Sequence, residues 1–152
     1  MAIAILCARL AQGGDTAFSI LADAPDGPVF KTNSEVRLSI ALKNTTNHNI
    51  SIPVTMGPAE FVYQIEAKDA KGNAAPYTKY GRGVMVDKTV GARTSAIYVP
   101  LKPGETRQVA EVIVSKLFDL SKPGEYTIRV HRYDDQNKVD IDSNELKLTV
   151  TK

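Results

Sequence analysis

The chain has 152 residues, 43% hydrophobic and 24% charged, with 19 basic against 17 acidic side chains, one Cys and no Trp. That length suits one domain, and the composition is that of an ordinary globule, which excludes a disordered chain, a collagen-like repeat and a multi-span membrane protein. A formal charge of +2 gives no electrostatic case for nucleic acid or an anionic membrane, and one Cys excludes an internal disulfide or a multi-cysteine metal site.

Residues 1–15 read as an N-terminal tail and 16–152 as the domain. The run Ala2–Ala8 is far shorter than the roughly 20 apolar residues of a membrane span. It resembles the end of a secretory signal peptide, with Ala11-Gln12-Gly13 as a small-residue cleavage site, although no basic residue precedes it and Arg9 interrupts it. A short packed segment and a floppy tail are the other readings. Cleavage would remove Cys7 and make the mature domain, expected to be extracytoplasmic or secreted, cysteine-free.

From residue 17 the apolar period is two. Phe18, Ile20 and Ala22 alternate first, then Val36, Leu38, Ile40 and Leu42, which ends at the turn formers Asn44-Thr45-Thr46-Asn47. Ile50 and Ile52 point inward in the short strand Asn49–Val54, which Pro53 either places at an edge or ends, because proline donates no ladder hydrogen bond. Phe61, Tyr63, Ile65 and Ala67 alternate next. Residues 78–95 show no sustained alternation and read as a long connection; loops beyond about 12–15 residues are uncommon in compact domains and often carry function. Strands resume at Ala96–Leu101, Thr106–Ser115, Glu125–Tyr133 and Asn144–Val150, with a short helical turn near 115–120 and a polar loop at 134–138. About seven to nine short strands without a convincing helix longer than two turns predict an all-β, antiparallel immunoglobulin-like sandwich.

In the stretch Asp119–Ile128 a tight Lys122-Pro123-Gly124 turn leads into a strand with Tyr126 two residues before an inward apolar residue. This is the layout of a tyrosine corner, in which the ring packs inward and the hydroxyl bonds backbone a few residues upstream. The segments LKNTTNHNISI, FVYQIEAKDAKGNAAP, LKPGETRQV, LFDLSKPGEYTIRV and SNELKLTV resemble the immunoglobulin-like or fibronectin-like domains of exported bacterial proteins, over most of 17–151. A weaker similarity links the chain to the bacterial intracellular proteinase inhibitor domain, although its middle segment is Gly- and Lys/Arg-rich rather than aromatic. The first family implies a fold and export but no shared activity.

Catalytic chemistry has few carriers. His48 lies in a Thr/Asn turn and His131 on the outer face of an alternating strand beside Arg129 and Tyr133, so both read as surface histidines; no hydrolase, zincin, phosphate-loop or dinucleotide motif occurs. The reading is therefore not an enzyme, with no cofactor. Asp134, Asp135, Asp140 and Asp142, with Asn137 and Glu145, are the densest oxygen-ligand cluster, but an EF-hand register from Asp134 puts Lys138 at a ligand position and Val139 where Gly is required, so they are weak metal candidates. The remaining surface signal is Tyr77, Lys79, Tyr80, Arg82, Lys88 and Arg93, where aromatic and basic side chains of the kind enriched at binding hot spots gather on the long connection. The expectation is a noncatalytic exported module that binds protein or glycan, or associates with itself through an edge strand around Ile50–Val54 or through Val84, Met85 and Val86. The alternatives are a proteinase inhibitor acting through the 78–95 loop, and an accessory domain of a larger enzyme.

Overall fold

The computed structural model describes residues 16–89 and 94–152. Among the described residues ten strands run in the order β1 (Phe18–Asp23), β2 (Val29–Lys31), β3 (Arg37–Asn44), β4 (Ile50–Met56), β5 (Gln64–Asp69), β6 (Ser95–Leu101), β7 (Thr106–Ile113), β8 (Gly124–Asp134), β9 (Val139–Asp142) and β10 (Leu146–Thr151). Helix α1 (Lys79–Thr89) lies between β5 and β6, and the one-turn helix α2 (Val114–Leu117) follows β7. One sheet has the order β1-β3-β7, the other β2-β10-β8-β5 with β9 paired on β8. The two sheets face one another as a sandwich, and the alternation seen in the sequence sets the core. Ile20, Leu38, Ile40 and Leu42 of the first sheet and Ile128, Val130 and Leu148 of the second are each 0–2% exposed. Among the described residues the strands pair antiparallel except β2 with β10, and a single parallel bridge joins Ile20 to Ser143.

The third pairing explains the architecture beyond a plain sandwich. Strands β4 and β6 pair only with each other among the described residues, from Ile50↔Leu101 to Met56↔Ser95. They continue the β3–β7 ladder around a corner in which residues 44–49 face residues 102–105, so that one bent antiparallel ribbon runs from the sandwich out into an arm. Asn44, 1% exposed, closes that corner. Its Nδ2 donates to the carbonyls of His48 at 2.8 Å and Leu101 at 2.9 Å, and its Oδ1 accepts from the Thr46 amide and hydroxyl, both at 2.8 Å. Near the corner the arm is buried, with Ile52 and Leu101 at 0% exposure; further out, Met56, Ile97 and Tyr98 lie open at 56%, 53% and 61%.

The tyrosine corner is present in its geometry: Tyr126 is 6% exposed and its Oη donates to the Lys122 carbonyl at 2.9 Å. Two local expectations need correction. The strand with Tyr63 starts only at Gln64, because Ala59–Phe61 form a 3-10 turn. More important, the 78–95 connection contains the eleven-residue helix α1 rather than a loop. Its buried side is the i, i+3, i+4, i+7 stripe Gly81, Val84, Met85 and Lys88, which includes a glycine and a lysine and so carries almost no apolar periodicity to read. Tertiary fit supplies what periodicity lacks. Thr78 Oγ1 accepts from the Gly81 amide at 3.0 Å as an N-terminal cap, and Gly81 sits so close to the Leu117 carbonyl that an added Cβ would lie 2.1 Å from its oxygen.

Candidate functional site

Among the residues singled out on the 78–95 segment, several serve the fold. Tyr77 stacks on Phe118, with ring centroids 4.9 Å apart. Arg82 Nη1 donates to the Tyr77 carbonyl at 2.7 Å, bracing the start of α1. Tyr80 Oη donates to Glu60 Oε1 at 2.5 Å, and this hydrogen bond to a carboxylate pushes the phenol up to about 12. Lys88 Nζ reaches the Tyr63 carbonyl at 3.4 Å, and burial lowers its amine from the usual lysine range, with nearby Glu60 opposing. Lys79 is exposed, and Arg93 lies outside the described residues, as does the whole 1–15 tail with Cys7. Val84 is buried beneath the helix while Val86 is 61% exposed. These side chains point around the helix rather than converging on one surface patch.

The acidic group is likewise partly committed. Asp134 is 6% exposed; its Oδ1 accepts from the Gln136 amide at 3.0 Å and its Oδ2 from Asn137 Nδ2 at 2.7 Å, so it shapes the β8–β9 turn. Asp142 Oδ1 lies 2.5 Å from His131 Nδ1, while Asp135 and Asp140 are exposed. No three of His, Cys, Asp and Glu gather as metal ligands among the described residues. On the outer face His131 also has its Nε2 3.7 Å from Glu66 Oε2, so both ring nitrogens face carboxylates and neither faces a nucleophile to activate.

The exposed apolar surface concentrates elsewhere. Of the large hydrophobic side chains left open, Met56, Ile97, Tyr98 and Tyr133 belong to the arm or to the β8–β9 hairpin across from it. Between those two elements lies a cleft of about 360 Å³. Pro53, Thr55, Ala96 and Tyr98 line it from the arm, Arg132, Tyr133, Asp135 and Gln136 from the hairpin, and Phe18 and Val62 complete it. Arg132 is held in place: its Nη1 donates to Tyr63 Oη at 2.9 Å and its guanidinium carbon lies 5.2 Å from the Tyr63 ring centroid. Tyr63 is 1% exposed, and burial raises its phenol above the ordinary range against the opposing pull of Arg132, so it stays a neutral partner for the guanidinium.

Sequence reading identified Pro53 as an edge marker but missed the cleft, since its lining comes from five separate stretches of chain. The strand edges themselves are guarded. Pro53 and Pro100 stand in pairs of the same parity, Pro53↔Tyr98 and Ser51↔Pro100, within an unbroken antiparallel ladder. Lacking N–H groups, both prolines must occupy positions whose nitrogens face outward, which removes one donor from each free edge of the arm. On β7 the register shifts between Ile40 and Ala41, a bulge that spoils its edge as a template. At β1 the Asn144 side chain takes the place of a neighbouring strand, its Oδ1 accepting from the Ala22 amide at 2.8 Å and its Nδ2 donating to the Ala22 carbonyl at 3.0 Å.

No helix among the described residues is long and apolar enough to cross a membrane. No protein family and no curated protein matches the chain. Among solved structures it is similar to the CARDB domain of the PF1109 protein from Pyrococcus furiosus, at 10% identity and a TM-score of 0.39, over 88% of this chain and 87% of that one. It is similar to the C-terminal domain of wzt at 14% identity and a TM-score of 0.48, over 92% and 77%. It is also similar to the β-glucosidase from Listeria innocua at 12% identity and a TM-score of 0.42, over 92% of this chain but 17% of the enzyme. Identities this low transfer no site residue; the chain is an all-β, immunoglobulin-like sandwich by its own strand order and core.

Proposed function

We propose that the protein is a noncatalytic, exported β-sandwich module that recognises a protein or a glycan through the cleft between the β4–β6 arm and the β8–β9 hairpin. The observation that carries this reading is the placement of Tyr98 and Tyr133, 61% and 49% exposed, on a cleft braced by the Tyr63–Arg132 pair, while Met56 and Ile97 lie open on the other face of the arm. Exposed apolar patches with aromatic anchors and a polar rim are the usual mark of an interaction surface. Contact by side chains is favoured over strand addition, because Pro53 and Pro100 each withdraw a donor from the arm's edges. Segment 78–95, which the inhibitor reading would send into a protease as a flexible loop, contains a helix packed on Leu117 and Phe118.

The test compares the wild-type protein with the double variant Tyr98→Ala, Tyr133→Ala and with the control Tyr80→Ala, by sedimentation velocity for self-association and on a glycan array for carbohydrate. Binding or association that the double variant loses and the control keeps supports the reading. Identical behaviour of all three proteins in both assays removes the cleft from the function.

A further inference from the structure

We infer that the cleft takes an uncharged carbohydrate, a proposal that rests on the preceding assignment of the cleft as the contact site. Its size is the first argument. About 360 Å³ lies near the lower end of the roughly 300–1,000 Å³ typical of small-ligand sites. A macromolecular interface, by contrast, needs about 800 Å² from each partner, and a cleft of this volume supplies only part of that.

The lining then selects within small ligands. Tyr98 and Tyr133 are 61% and 49% exposed, so each offers an aromatic surface to a flat apolar face. Beside them stand the Thr55 hydroxyl, the Gln136 amide and the Asp135 carboxylate, a set of donors and acceptors suited to hydroxyl groups. The charges argue against ionic ligands of either sign. Asp134 is 6% exposed with both oxygens bonded inside its turn, which leaves the Asp135 carboxylate and the Arg132 guanidinium as opposite charges on the lining and an excess of neither. A sugar ring has apolar C–H faces and polar edges but no net charge, and it fits both the aromatic and the hydrogen-bonding parts of the lining.

Neutral trisaccharides of glucose, mannose, xylose and N-acetylglucosamine are titrated into the isotope-labelled protein and followed by backbone amide shifts. The expected result is saturable shifts at Tyr98, Tyr133 and Gln136 for at least one sugar. Tyr98→Ala should then weaken its affinity about tenfold, the loss of one aromatic contact, and Tyr98→Phe should leave it nearly unchanged. Both substitutions fall on an exposed side chain and preserve the fold, which the unchanged remainder of the spectrum verifies. The proposal is overturned if no trisaccharide moves these amides, or if the shifts are the same in Tyr98→Ala. The sedimentation comparison separates the two levels. If sugars fail but association depends on Tyr98 and Tyr133, the cleft is a protein contact and only the carbohydrate proposal falls; if both fail, the assignment of the cleft falls with it.

Discussion

Asn44 is the residue on which the bent ribbon turns, and Asn44→Ala is expected to destabilise the protein by about 2–4 kcal/mol. The magnitude follows from where its four hydrogen bonds go. Those with Thr46 and the His48 carbonyl lie in a turn that water can reach, so their loss is largely replaced by solvent. The bond to Leu101 differs, since Leu101 is 0% exposed and its carbonyl, already paired with Ile50 in the ladder of the arm, would lose its second donor where water cannot replace it. A hydrogen bond is worth a net of about 0.5–1.5 kcal/mol, so the buried bond toward the upper end and three turn bonds toward the lower end together give that figure. The melting temperature should fall by about 6–12 °C for a protein of this size. Urea unfolding followed by far-ultraviolet circular dichroism measures the difference, with an unchanged denaturant slope showing that the unfolded state is the same. Asn44→Asp, of equal volume, should be at least as harmful at neutral pH, because a carboxylate would face the His48 and Leu101 carbonyls where two donors now stand. A loss below about 1 kcal/mol for Asn44→Ala, or an Asp variant more stable than the Ala variant, would refute the claim that donation to Leu101 holds the arm to the sandwich.

Three further outcomes are expected. Tyr126→Phe removes the hydroxyl from the Lys122 carbonyl while keeping the buried ring, and should cost about 0.5–1.5 kcal/mol in urea unfolding; no change would mean that the hydroxyl bond adds nothing to the corner. The two glycines of α1 should respond with opposite signs. Gly81→Ala drives a methyl into the Leu117 carbonyl and should cost about 1–3 kcal/mol, whereas Gly83→Ala meets open space and should stabilise the helix by about 0.5–1 kcal/mol; equal effects in thermal melts would mean that α1 does not pack as described. Acid should weaken the fold through its carboxylates. Backbone and side-chain bonds from Asn73 lower Asp69, bonds from Ser121 lower Asp119, and the Lys102 amide lowers Glu105. Each binds its proton more weakly folded than unfolded, so the stability is present above the ordinary carboxylate pKa of about 4 and is lost as pH falls through the lower folded values. Urea midpoints should therefore drop below about pH 4, and Asp69→Asn should flatten that drop; midpoints independent of pH there would contradict the assignment.

The sandwich was legible in the chain because β-strands write themselves locally. Leu38, Ile40 and Leu42 alternate with polar partners, and a two-residue period suffices to say which side faces the core. Tyr126 was readable for the same reason, as its turn, its ring and its acceptor at Lys122 lie within five residues. Short pieces whose partners are distant were not readable. Strand β2 has three residues and exists because Val29–Lys31 lie parallel to Thr149–Thr151 at the far end of the chain. Helix α1 was hidden because its buried stripe mixes a glycine, a valine, a methionine and a lysine, and its fit depends on the Leu117 carbonyl and Phe118 beneath it.

The sequence by itself determined the class of fold, the inward set of side chains, the tyrosine corner and the presence of an edge at Pro53, all consequences of neighbours along the chain. Tertiary structure alone decided that β3–β7 and β4–β6 are one ribbon bent at Asn44. It also decided that the exposed tyrosines that meet at a cleft are Tyr98 and Tyr133 rather than Tyr77 and Tyr80. The physical reason is the same in both cases: a hydrogen bond or a cleft between residues decades apart depends on how strands cross in space, and no local period records that.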